Sequence, residues 1–155
     1  MSTENFAGNI IINLANLPDF LRQPILKKRI SEFFGLSEVE KNEIINNALE
    51  AGPTIPFPNF SKLFKTWLEI LTTFSEEQRQ QVFVAYIDEI LKNPEKLILF
   101  NLDGILEIFM SLEKNQQEII SQTVKNIVSK LNEKEIKILM IIIPNNAKKS
   151  LNLQD

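Results

Sequence analysis

The stretch FSKLFKTWLEILTTF, residues 60–74, places Phe60, Leu63, Phe64, Trp67, Leu68, Leu71 and Phe74 three and four residues apart, the spacing of one stripe along an α-helix. It runs directly into SEEQRQQVFVAYIDEILKN. There Ser75 is placed to cap a second helix, Glu76 and Glu77 sit at its positive end, and Gln78 follows three residues after the cap. The apolar positions of this second segment are Val82, Phe83, Tyr86, Ile87, Ile90 and Leu91. Two amphipathic helices joined by almost no loop must fold back antiparallel. Segments of the same kind precede at PILKKRISEFFG and SEVEKNEIINNALEA and follow at LDGILEIFMSL and NQQEIISQTVKNIVSKL, and none alternates with the period of two that a half-buried strand needs. The spacing predicts an all-α chain.

Slid against itself by about 38 residues, the sequence overlays its own helix pairs. Ile25, Leu26, Ile30, Phe33, Leu36, Ile44, Ile45 and Leu49 fall on Leu63, Phe64, Leu68, Leu71, Phe74, Val82, Phe83 and Ile87, and Ser37-Glu38 falls on Ser75-Glu76. A second slide brings Phe64, Trp67, Leu68, Leu71 and Phe74 onto Leu102, Ile105, Leu106, Phe109 and Leu112. The units expected are 17–53, 57–93 and 94–131 with a C-terminal cap over 132–155, all in one domain spanning 1–155. The proline-rich stretch AGPTIPFPNF, residues 51–60, is then the elbow between two units, with Gly52 as a glycine just past a helix end and Pro58 at the next helix start. A flexible linker would leave Ile55, Phe57 and Phe60 in water. Pro94 and the Asn101 to Gly104 turn are expected to punctuate the next elbow, and Pro24 to kink or divide its helix.

The residue types present limit the chemistry. With no histidine and no cysteine, the chain has no Ser-His-Asp or Cys-His nucleophile, no disulfide, no thiolate redox centre and no zinc site built on those ligands. Four glycines leave little from which to build a phosphate-binding loop. Carboxylate pairs such as Asp103/Glu107 and Glu40/Glu43 lie on single helical faces, where solvated helices produce them routinely. The start lacks the basic segment of a secretory signal, and the apolar run ILMIIIP at 138–144 is far short of the roughly 20 residues that span a bilayer. The expectation is a cytoplasmic, non-enzymatic protein with no transmembrane segment and no cofactor.

A net charge of −3, from 17 basic and 20 acidic side chains, gives no global pull towards nucleic acid. A polyanion would have to meet a local patch, and Arg22, Lys27, Lys28 and Arg29 form the one basic cluster of note. Two other surface features stand out. The second helices carry an aligned, mostly polar ladder, Asn42, Asn46, Glu50, then Gln80, Val84, Asp88, then Glu118, Gln122, Asn126, in which Val84 is the apolar exception. Trp67 falls at the repeat shift where the preceding unit has Arg29, so it is a candidate anchor for a partner, with Phe57, Phe60 and Phe64 nearby.

In helix order and repeat length the plan is similar to HEAT-like and other short α-solenoids, without a signature motif. The resemblance implies a short right-handed stack of hairpins or a compact multi-helix bundle. The function expected is a protein–protein interaction or scaffold module that presents one helix face to a partner or to itself. The alternatives are a carrier or sensor holding an apolar small molecule or lipid between helices, and nucleic-acid binding through the basic cluster. At the C-terminus a helix over Glu133 to Ile143 is expected, with Pro144 ending it or opening a short last helix that folds back as a lid.

Overall fold

The computed structural model describes residues 6–143 and 145–150. These form α1 (Phe6–Ala15), α2 (Asp19–Phe33), α3 (Glu38–Ala51), α4 (Phe57–Leu71), α5 (Glu76–Lys92), α6 (Glu95–Ile98), α7 (Leu102–Met110), α8 (Lys114–Val128), α9 (Glu133–Ile142) and α10 (Asn145–Ser150). A single 3₁₀ turn, Gly52–Thr54, links α3 to α4, and the described residues include no strand.

The helices start on a regular beat. The N-caps of α2 to α6, α8 and α9 are Pro18, Ser37, Pro56, Ser75, Pro94, Glu113 and Asn132, each 19 residues after the last, so two steps make the 38-residue shift of the sequence; Asn101, the cap of α7, falls between beats. The serine caps act as expected, and Asn132 makes the same arrangement. The Ser37, Ser75 and Asn132 side chains accept from the backbone N–H three residues on, and Glu40, Gln78 and Glu135 return the bond to the cap, which satisfies two otherwise orphaned donors at each start. At Pro18, Pro56 and Pro94 no side-chain cap forms, and the ring instead presets the backbone entering the helix.

Packing follows alternate helices. α2 lies on α4 and α4 on α7, while α3 lies on α5 and α5 on α8; α1 covers α3 and α4, and α9 rests on α5. One apolar core joins them, with Leu71, Ile45, Ile70, Leu68 and Ile120 among its most enclosed members. Each large aliphatic side chain withdrawn from water in this way contributes about 1.5–3 kcal/mol.

Of the two outcomes expected at Pro24, division of the helix does not occur, since Pro24 lies inside α2. Phe20, whose carbonyl loses a helical partner to the proline, is an exposed residue, so water can take the missing place. Gly52 is right-handed, with φ −50°, and so is not a left-handed terminating glycine. What it supplies is room, because a Cβ there would come within 2.5 Å of the Phe100 ring. Phe100 occupies a break in the 95–110 stretch, between α6 and α7, and the Asn101 side chain restarts the helix by accepting from the Gly104 N–H at 2.9 Å. Gly104 is buried inside α7, where it makes room for Phe57 as Gly52 does for Phe100.

α9 covers the expected stretch to within a residue, and α10 folds back against α7. Pro144 and the residues after Ser150, including Leu151 and Leu153 of the expected lid, lie outside the described residues.

Candidate interaction face on helices α2 and α4

Helix α2 buries Arg22, Leu26, Ile30 and Phe33, a stripe spaced by four, four and three. The opposite side therefore carries Phe20, Leu21, Pro24 and Lys28, with Ile25 on its flank. Phe20 is 76% exposed, Leu21 40% and Ile25 39%, a group of large apolar side chains left in water on one helix. Lys27, Lys28 and Arg29 continue the exposed surface towards the C-terminal half, with Arg29 Nη1 3.6 Å from Glu32 Oε1.

Arg22 is 1% exposed, which removes it from the basic cluster where the sequence had placed it. Its guanidinium donates to the Leu17 carbonyl, to Asp19 and to the Thr66 hydroxyl, the last at 3.3 Å, so the charge is fully engaged. The bond to Thr66 sets the first turn of α2 against the part of α4 that carries exposed Lys62 and half-buried Lys65. The two packed helices thus carry exposed apolar side chains on α2 and exposed lysines on both.

Charge is divided between the two sets of helices. α2 and α4 hold six basic side chains (Arg22, Lys27, Lys28, Arg29, Lys62, Lys65) against three acidic ones (Asp19, Glu32, Glu69). α3 and α5 hold three basic (Lys41, Arg79, Lys92) against eight acidic (Glu38, Glu40, Glu43, Glu50, Glu76, Glu77, Asp88, Glu89). With buried Arg22 set aside, α2 and α4 carry five basic against three acidic side chains and α7, packed on α4, adds Asp103 and Glu107, so the acidic excess behind the net −3 lies mainly on α3 and α5.

Three residues of the polar ladder tie its helices to other segments. Asn46 Oδ1 accepts from Lys96 Nζ at 2.6 Å, Gln80 Oε1 accepts from Lys130 Nζ at 3.2 Å, and Asn126 donates to Glu76 Oε2 at 3.4 Å while accepting from Gln122 at 2.9 Å. Glu50, Val84 and Asp88 are exposed. Although Asp88 is exposed, desolvation by the surrounding protein, reinforced by Glu135 and Glu89 and opposed by Lys92, raises its carboxyl from the ordinary value. Glu76 goes the other way: burial raises it, but hydrogen bonds from Thr123, Gln80, Arg79 and Asn126 outweigh that and hold it low.

The aromatic residues proposed as anchors turn inward. Phe60 is a buried core residue, packed on Phe57, Phe64 and Phe100. Trp67 is half-buried against the core, stacked on Phe64 at 5.5 Å and met edge-on by Phe83 and Tyr86. Burial raises the Tyr86 hydroxyl to about 12. Phe57 fills the space beside Gly104. The exposed group on α2 was legible in principle, because the four-residue spacing of Arg22, Leu26 and Ile30 fixes the buried side; treating Arg22 as a surface charge hid it.

Among the described residues no group of three or more acidic side chains is arranged to hold a metal, and no helix is long and apolar enough to cross a membrane. An open depression of about 650 Å³ runs along α9, lined by Asn132, Glu133, Lys134, Lys137, Ile138 and Ile141. The chain matches no protein-family model, no curated protein and no solved structure.

Proposed function

We propose that the chain is a non-catalytic interaction module, a short HEAT-like stack of helical hairpins whose contact surface is the outward side of α2 and α4. The stack is supported by the 19-residue beat of the caps and by the packing of alternate helices. The observation that carries the function is the exposure of Phe20, Leu21 and Ile25 together on α2. Single exposed apolar residues are ordinary on any surface, whereas three within two turns of one helix are a place where something else can dock. The depression on α9 lies on the outside of that helix rather than between helices, which favours a contact surface over a carrier for an apolar ligand.

The test is a paired recovery from the source cell. The full chain and a Phe20→Glu/Ile25→Glu variant, matched by circular dichroism and melting temperature, are crosslinked and purified side by side. The variant is expected to lose whatever the wild type retains, be it protein, lipid or a second copy. Equal retention by both, with the fold intact, overturns α2 as the contact surface.

A further inference from the structure

We infer that the surface formed by α2 and α4 docks on an anionic phospholipid bilayer, an inference that rests on the interaction-module reading above and names its partner. Phe20, Leu21 and Ile25 are exposed on α2, with exposed Lys27 and Lys28 on the same helix and exposed Lys62 on α4, which packs against it. Apolar side chains accompanied by lysines on a helix lying flat are what an acyl-headgroup boundary accommodates, with the rings and aliphatic chains entering the boundary and the ammonium groups remaining at headgroup level.

The kind of charge favours a lipid surface over an acidic protein. Lysine is a compact, hydrated point charge on a flexible stem, suited to a diffuse field of headgroups, while the exposed arginine, the side chain built for bidentate pairing, already has Glu32 beside it. The charge division explains how a chain of net −3 can approach a negative surface at all. With the acidic excess on α3 and α5, the molecule has one orientation in which the lysines of α2 and α4 face the bilayer and that excess faces away.

The experiment is co-sedimentation of the full chain with vesicles of phosphatidylcholine alone and of phosphatidylcholine with phosphatidylserine. Binding is expected on the phosphatidylserine vesicles, falling as salt rises, and little on phosphatidylcholine alone. Lys27→Ala and Lys28→Ala should each weaken it about fivefold. Phe20→Ser/Ile25→Ser should weaken it while leaving the salt dependence in place, and Glu43→Gln on α3 should leave it unchanged. Failure of the wild type to bind phosphatidylserine vesicles at low salt overturns the inference, as does binding indifferent to both the lysine and the apolar variants. If vesicles are ignored while Phe20→Glu/Ile25→Glu still abolishes recovery of a cellular protein or nucleic acid, the bilayer is overturned and the contact surface stands.

Discussion

Arg22 and Arg79 occupy the same place in their helices, four residues after the caps Pro18 and Ser75, and both are buried. Each bonds a carbonyl of the preceding turn, the acid at the first helical position, and a threonine 44 residues on: Leu17, Asp19 and Thr66 for Arg22; Phe74, Glu76 and Thr123 for Arg79. Gln117, four after Glu113, repeats part of the device by donating to the Leu112 carbonyl at 2.9 Å. Removing Arg79 would leave turn carbonyls and the fully buried Thr123 hydroxyl short of a donor. Arg79→Leu is therefore expected to lower stability by about 3 kcal/mol, and Thr123→Val by about 1–2, with the double variant less than additive in denaturant titrations. The lowered Glu76 carboxyl gives a pH signature. A group whose folded value lies below its unfolded one stabilises fully above the unfolded value and loses that contribution as pH falls through the folded value. The stability difference between wild type and Glu76→Gln should accordingly be present at pH 7 and shrink with acidification into the carboxylate range. None of this was legible from composition, because a charged residue is read as exposed unless the turn carbonyls that satisfy it are known.

At the level of helices, what the sequence revealed best was what local chemistry decides. Ser37 and Ser75 are caps because a hydroxyl followed by Glu or Gln three residues later can satisfy the helix start without help from anything distant. The break between α6 and α7 was not legible as a packing feature, since it depends on Phe100 reaching Gly52 from the neighbouring unit. Both glycines illustrate the difference: local rules assign Gly52 to helix termination, yet its backbone is right-handed and its missing side chain is what the aromatic ring requires. Gly52→Ala should lower stability by about 1–3 kcal/mol through overpacking. Adding Phe100→Leu should recover part of that loss, and no recovery in the denaturation midpoint would show that crowding by Phe100 is not the cause. The C-terminal end makes a parallel case. Since α10 lies on α7, deletion from residue 144 onward removes that contact, and a lower melting temperature with concentration-dependent association is expected in calorimetry and sedimentation.

On the scale of the whole molecule, the helical class followed from periodicity alone, because a three-to-four spacing of apolar residues admits no other element. The proposed contact surface did not, since whether Phe20 and Ile25 face core or water depends on where Arg22 anchors α2 against α4. The division of charge was equally hidden in a net value near zero and appears only when α2 and α4 are set apart from α3 and α5. The absence of cysteine makes this central claim directly measurable, because one introduced thiol can carry one probe without competition. A polarity-sensitive fluorophore is attached at Phe20→Cys in one sample and at Glu43→Cys on α3 in another, and each is titrated with membrane and soluble fractions of the source cell. A blue-shifted, brightened emission from position 20 and no change from position 43 is the expected result. A shift at position 43 with none at 20, or at neither, would contradict the assignment of the α2 and α4 side as the surface through which this protein works.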